Sequence, residues 1–146
     1  MNEYLLDIYN KLPITLSHGE GIWLYDDQGN QYLDALSGIG VTALGHNHPT
    51  VTKALSEQAK KLIHVANPFF TEEQSQLATK LCQLTGLAKA YFSNSGAEAN
   101  EAAIKMALKY GIDKGYKNPK IIVMEGGFHG RSLGAWSASC DQEKSI

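Results

Sequence analysis

Three stretches of the sequence predict an α/β fold. A short β-rich run, Ala90-Tyr91-Phe92, breaks into small polar residues and then into an alanine-rich segment with helical spacing. Further on, Lys120-Ile121-Ile122-Val123-Met124 is apolar without alternation, the pattern of a parallel strand covered on both faces. Nearer the start, Ile22-Trp23-Leu24-Tyr25 and Gln31-Tyr32-Leu33-Asp34 alternate around the turn cluster Asp26-Asp27-Gln28-Gly29-Asn30, which signals a β-hairpin. Strand, helix and strand of the first kind compose a βαβ unit, whose ligands bind beyond the carboxyl ends of the strands.

Taken in order, residues 2 to 12 read as a short helical arm with Tyr4, Leu5, Ile8, Tyr9 and Leu12 on one side, ended by Pro13. After the hairpin, Ala35 to Gly45 is an apolar run broken by three glycines, which suits a backbone packed against another surface such as a partner subunit. In Gly45-His46-Asn47-His48-Pro49 two histidines stand two apart. A metal reading needs a third ligand at regular spacing, and none follows, so with Pro49 at a first helical position the stretch reads more simply as a helix entry. That helix should carry Val51, Leu55, Ala59, Leu62 and Ile63 on one face. The next starts with the capping-box pair Thr71 and Gln74, presents Leu77, Leu81 and Leu84, and stops at Gly86. Between them Asn67-Pro68-Phe69-Phe70 reads as a packed corner.

The central helix is expected from about Ala97 to Tyr110, with Ala99, Ala103, Ile104, Ala107 and Leu108 at helical spacing. Ser95 and Glu98 have the capping-box spacing, and Gly96 permits a tight turn between strand and helix. The free N–H groups of such a first turn, with the positive end of the helix dipole, form a site for an anion, usually phosphate. Ser95 serving only as a cap is the other reading. Glu98 puts a negative charge in the same turn, and only a folded-back conformation keeps it from a phosphate. Gly111 to Asn118 reads as a polar linker. Beyond the next strand, Glu125-Gly126-Gly127-Phe128-His129-Gly130-Arg131 forms a pliable loop that should face Ser95-Gly96. Phe128 suits stacking on a flat phosphorylated ring or closing the end of the sheet. Arg131 suits a carboxylate, and His129 suits a base or, with no acidic partner or nucleophile nearby in sequence, a structural role.

Bulk properties narrow the class. With 146 residues, 43% hydrophobic and 19% charged, the chain has the length and composition of one globular domain of soluble type. No apolar run approaches the roughly 20 residues of a membrane span, and Met1-Asn2-Glu3-Tyr4 lacks the start of a signal peptide. A net charge of -2 with scattered basic residues argues against a nucleic-acid groove. Cys82 and Cys140 lack metal-ligand spacing, which fits a reduced, cytoplasmic setting. Arg131 is the single arginine, and a planar fork that grips a carboxylate at two points is the task lysine performs worst.

Four segments in order, Gly21-Ile22-Trp23-Leu24-Tyr25-Asp26, Val41 to Pro49, Ser93 to Asn100 and Phe128-His129-Gly130-Arg131-Ser132-Leu133, together resemble the N-terminal part of class III pyridoxal-phosphate-dependent aminotransferases. The resemblance implies the fold type I aminotransferase architecture. Residues 1–45 would form an N-terminal arm and small-domain hairpin, and residues 46–146 the first portion of the large, cofactor-binding domain. It implies pyridoxal 5'-phosphate as cofactor, with Gly96 and Ala97 at its phosphate, Phe128 stacked on its pyridine ring and Arg131 on the α-carboxylate of the substrate. Many relatives carry Thr at position 97, so a hydroxyl contact is replaced here by the backbone N–H alone. The Schiff-base lysine and the aspartate that pairs with the pyridine nitrogen are expected beyond Ile146, which makes this a fragment that should not transaminate alone. Family members act on acetylornithine, ornithine, succinylornithine, 4-aminobutyrate or putrescine. Overall likeness favours the first, with 2-oxoglutarate as acceptor in arginine biosynthesis, in a cytoplasmic homodimer without nucleic-acid or membrane partners. A non-catalytic phosphosugar-binding module would need no lysine but leaves the Phe128 to Arg131 loop unexplained. A dinucleotide-binding domain lacks its Gly-x-Gly-x-x-Gly.

Overall fold

The computed structural model describes residues 4–6 and 8–139; Asn2, Glu3 and Asp7 of the expected arm, Cys140 and residues 141–146 lie outside them. The chain divides into two compact units, Met1–Phe69 and Phe70–Ile146.

The first unit is built on a three-stranded antiparallel sheet in the order β1 (Leu16–Glu20), β2 (Trp23–Asp26), β3 (Gln31–Leu33). The predicted hairpin is β2–β3, in the register Trp23↔Leu33, Leu24↔Tyr32, Tyr25↔Gln31. Strand β1, which the sequence reading did not anticipate, pairs with β2 through an irregularity between Leu16 and His18, and His18 stacks on Tyr25 at 4.7 Å between ring centroids. The β2–β3 turn is organised by one carboxylate. Asp26 is buried, its Oδ1 accepting from the N–H groups of Gln28 (2.9 Å) and Asn30 (2.8 Å), its Oδ2 from Asn30 Nδ2 (2.8 Å) and Tyr32 Oη (2.9 Å). These donors, the Asn30 side chain foremost, hold the Asp26 carboxyl below its ordinary range, and the carboxylate raises the Tyr32 phenol in turn.

A second carboxylate fastens the segment after β3. Asp34 Oδ1 accepts from the N–H groups of Leu36 and Ser37, and Oδ2 accepts from His46 Nε2 at 2.7 Å. The imidazole, first among these partners, lowers the Asp34 pKa. His46 also lies against Gly19, where a Cβ would stand 2.6 Å from its ring, and its backbone bridges to Gly21. Gly45, at φ +88°, has no room for a side chain, since a Cβ would meet the Gly21 carbonyl oxygen at 2.9 Å. Between these anchors runs α1 (Ser37–Gly40), a single turn with φ values of 50°, 55°, 59° and 88°. Its left-handed backbone is strained at Ile39, a β-branched residue that is 95% exposed. Helix α2 (Pro49–Lys61) starts, as expected, with Pro49 at its first position after His48. It ends before Leu62 and Ile63, where Leu62 turns to extended backbone, so these two residues leave the predicted apolar face.

In the second unit α3 (Glu72–Thr85) runs from Thr71 to Gly86 as expected, without the Thr71–Gln74 capping box. Glu72 and Glu73 complement the helix dipole, while Gln76 donates to Glu72 and the Ser75 hydroxyl to the Thr71 carbonyl. Helix α4 (Gly96–Asp113) reaches three residues past Tyr110, taking in the start of the predicted linker. Its end meets Pro119, which lies so close to Gly111 that a Cβ there would be 2.5 Å from the proline's. Helix α5 (Leu133–Ser137) packs on α4, burying Ala135 and Ala138.

Several expectations are corrected. The described residues of the arm, 4–6 and 8–12, form no helix, because a segment this short is marginal without a surface to pack on. Ala90–Phe92 and Lys120–Met124 run without strand pairing, so the βαβ unit lacks its sheet among the described residues. A strand exists only in a ladder, and no described neighbour supplies one; Ile122 is 95% exposed. Phe69 and Phe70 are exposed, where the sequence predicts packed aromatic rings. The predicted apolar faces of α2 and α3 are open as well, at Leu55 and at Leu77 and Leu84. Ala135 and Ala138 are the buried hydrophobic residues of the described chain. Local order here therefore rests on hydrogen-bonded turns and caps more than on a core.

The Asp26 turn is testable alone. Asp26→Ala removes the acceptor of four hydrogen bonds, so the Gln28 and Asn30 amides should exchange about tenfold faster or more. Because folding lowers this carboxyl's pKa, its contribution is full above the unfolded value of about 3.9 and fades as pH falls toward the lower folded value. Amide protection that ignores both the substitution and acidification would mean that the ladder holds the turn without Asp26.

Candidate functional site

The site forms where the start of α4 meets the loop before α5. Ser95 has extended backbone and caps the helix, its Oγ accepting from Glu98 N at 3.2 Å. Glu98 folds back, its Oε2 accepting from the Asn94 N–H at 2.7 Å. The carboxylate is thus turned toward the residue preceding the cap. The Gly96 and Ala97 N–H groups, in the first helical turn, have no hydrogen-bond partner among the described residues.

The loop that faces them is seated by close approach. Gly130 is buried with φ +128°, and a Cβ on it would stand 2.8 Å from Ala97 Cβ and 3.0 Å from both Ala97 Cα and Ala135 Cβ. A residue with a side chain would be strained in its backbone and would displace either the loop or the helix. Hydrogen bonds reinforce this seat. Asn100 Nδ2 donates to the His129 carbonyl at 2.6 Å, and the His129 N–H donates to the hydroxyl of buried Ser139 at 3.1 Å. Glu101 Oε1 accepts from Gly134 N (2.8 Å) and Ala135 N (3.2 Å), in the first turn of α5. The neighbouring Ser132 hydroxyl, together with those N–H groups, holds the Glu101 carboxyl below its ordinary range.

The result is an open cavity of about 520 Å³ lined by Gly96, Ala97 and Asn100 from the helix and by residues 128–132 from the loop. Its size falls in the range of small-molecule sites. The expected facing of the two loops is therefore realised, and all four sequence-predicted site residues, Gly96, Ala97, Phe128 and Arg131, line one cavity. Phe128 is 64% exposed, so it does not close a core, and the Arg131 guanidinium lies 5.3 Å from its ring centroid in cation–π geometry. His129 packs its ring beside Gly127, where a Cβ would be 3.1 Å from Cε1, and its Nδ1 is buried without a hydrogen bond. His46 and His48 take separate tasks in the other unit, one on Asp34 and the other at the start of α2.

Asn100, Glu101 and Ser139 were missed from sequence. A signal was present for two of them. The shielded side of α4 runs through Ala97, Asn100, Glu101, Ile104, Leu108 and Gly111, at three- and four-residue steps, whereas Ala99, Ala103 and Ala107 are exposed. An amide and a carboxylate on the protected side of a helix must find partners, and that need marks them.

The Aminotransferase class-III family model matches residues 7–145. An acetylornithine aminotransferase of Nitrosomonas europaea is 54% identical over 136 residues, 93% of this chain and 35% of that protein. The chain thus spans about a third of the length of the curated relatives it matches. Among solved structures, the ornithine aminotransferase of Toxoplasma gondii, described with partial occupancy of PLP at its active site, superposes with a TM-score of 0.87 at 30% identity, over 92% of this chain and 32% of its own. The N-acetylornithine aminotransferase of Stenotrophomonas maltophilia K279a does so at 0.77 and 38% identity, over 85% of this chain and 35% of its own. Family match, identity and superposition converge on the α/β fold of these enzymes, and this chain belongs to the class III aminotransferases.

Proposed function

We propose that these 146 residues provide the phosphate-binding and carboxylate-binding elements of an acetylornithine aminotransferase, which transfers an amino group between N2-acetyl-L-ornithine and 2-oxoglutarate in arginine biosynthesis. One observation carries the reading: partnerless N–H groups at a helix start, an exposed aromatic ring and the single arginine share one cavity. In this reading residues 1–45 belong to the small domain and residues 46–146 open the large one. The covalent lysine comes from chain beyond Ile146, the complete enzyme works as a homodimer in the cytoplasm, and its partners are amino-acid and 2-oxo-acid substrates. Support for the substrate comes from relatives of that name at 47–54% identity. No described helix is long and apolar enough to cross a membrane.

Pyridoxal 5'-phosphate fits the groups present. When bound, it supplies the electron sink that lets an amino group pass between an amino acid and a 2-oxo acid. The Gly96 and Ala97 N–H groups, at the positive end of an 18-residue helix, would hold the phosphate. The folded-back Glu98 takes its charge out of their way. Phe128 has Arg131 over its ring and remains 64% exposed, leaving surface for stacking on the pyridine ring. Arg131 would grip the substrate carboxylate at two points and so orient the reacting amino group.

The complete protein should turn yellow on adding pyridoxal phosphate, and inorganic phosphate should compete; a colourless protein would remove the reading. Arg131→Lys should raise KM for both carboxylate substrates about tenfold or more, because a point charge replaces a planar fork. Unchanged kinetics would take Arg131 out of the site. Gly130→Ala should destabilise the seat by about 1–3 kcal/mol and weaken cofactor affinity, as read by titrating the absorbance. Retained affinity would show that the loop tolerates standing off the helix.

A further inference from the structure

We propose that Asn100 and Glu101 act as paired positioning residues, clamping both ends of the 129–135 segment to α4 and thereby setting where Phe128 and Arg131 stand relative to the Gly96 and Ala97 N–H groups. The inference rests on the reading of the cavity given above.

The clamp has two jaws from adjacent residues of one helix. Asn100 holds the His129 carbonyl at 2.6 Å, one residue from Phe128 and two from Arg131. Glu101 holds the Gly134 and Ala135 N–H groups, three and four residues beyond Arg131. Arg131 therefore sits on a short span tied at both ends, with Gly130 pressed on Ala97 between the ties. Besides the jaws, that contact and the His129–Ser139 bond hold the loop end of the span. The Glu101 carboxylate lies flat against Gly134, where a Cβ would come within 2.4 Å of its Oε2 and 2.8 Å of its Oε1. That fit separates positioning from stability. Gly134 lies in α5 without a positive φ, so Ala there suits the helix while pushing the flexible carboxylate out of the jaw.

The test uses the complete enzyme, with and without pyridoxal phosphate. Glu101→Ala, Asn100→Ala and Gly134→Ala should each raise KM for 2-oxoglutarate per cofactor-loaded subunit, about tenfold or more, and change the circular dichroism of the bound cofactor. Glu101→Gln keeps an acceptor oxygen and should restore KM to within about twofold. In the cofactor-free protein, Glu101→Ala and Gly134→Ala should speed exchange of the Gly134 and Ala135 amides. A lowered melting temperature with KM and dichroism unchanged would overturn the proposal, as would Glu101→Gln behaving like Glu101→Ala. If Glu101→Ala fails to fold, Gly134→Ala decides, because a purely structural role predicts native KM and native cofactor dichroism whatever the change in stability. A wild-type protein that binds no pyridoxal phosphate would overturn the functional reading and the positioning role with it, and is recognised before any variant is made.

Discussion

Gly130 can lie against Ala97 because it has no side chain: a Cβ there would stand 2.8 Å from the Ala97 methyl. The cavity depends on that approach. Helix α4 alone would present two N–H donors to solvent, and the loop alone would present an aromatic ring and a guanidinium to nothing. Seated on each other, they line one open cavity, with the helix start on one side and the ring and guanidinium on the other. The hydrogen bonds of Asn100 and Glu101 follow from the same approach, since each runs from α4 to the segment seated on it.

Carboxylates organise this chain wherever a turn must be held. Asp26 gathers four donors at the hairpin, Asp34 ties the backbone after β3 to His46, Glu98 closes the start of α4, and Glu101 meets the start of α5. In each case the donors include backbone N–H groups of a turn or helix start, where no intrahelical or ladder acceptor is available. The Asn30 amide at Asp26, the His46 imidazole at Asp34 and the Ser132 hydroxyl at Glu101, with those N–H groups, raise the acidity of these carboxyls. Glu98 takes the folded-back conformation, its carboxylate accepting from the N–H of the residue before the cap.

Apolar surface tells a complementary story. The helix faces read as core from their periodicity are mostly open, and the two apolar runs read as parallel strands have no ladder among the described residues. In relatives that are about three times as long, such faces have far more chain available to cover them. The patterning is therefore that of a larger domain, written into a part of it.

The sequence by itself determined the local features: the hairpin, the proline entry of α2, the glycine stop of α3, the capped start of α4, and the family through four ordered motifs. These depend on neighbours within a few residues, whose propensities and hydrogen bonds act without the rest of the fold. Tertiary structure alone decided which side of α4 is shielded, whether the apolar runs pair, and what Asn100, Glu101, His46 and Gly130 do. Helix α5 belongs to the same group, its first N–H groups held by Glu101. Each is fixed by a partner distant in sequence or by how closely two backbones approach, and neither a hydrogen bond across more than 25 residues nor the absence of room for a Cβ is written in local spacing.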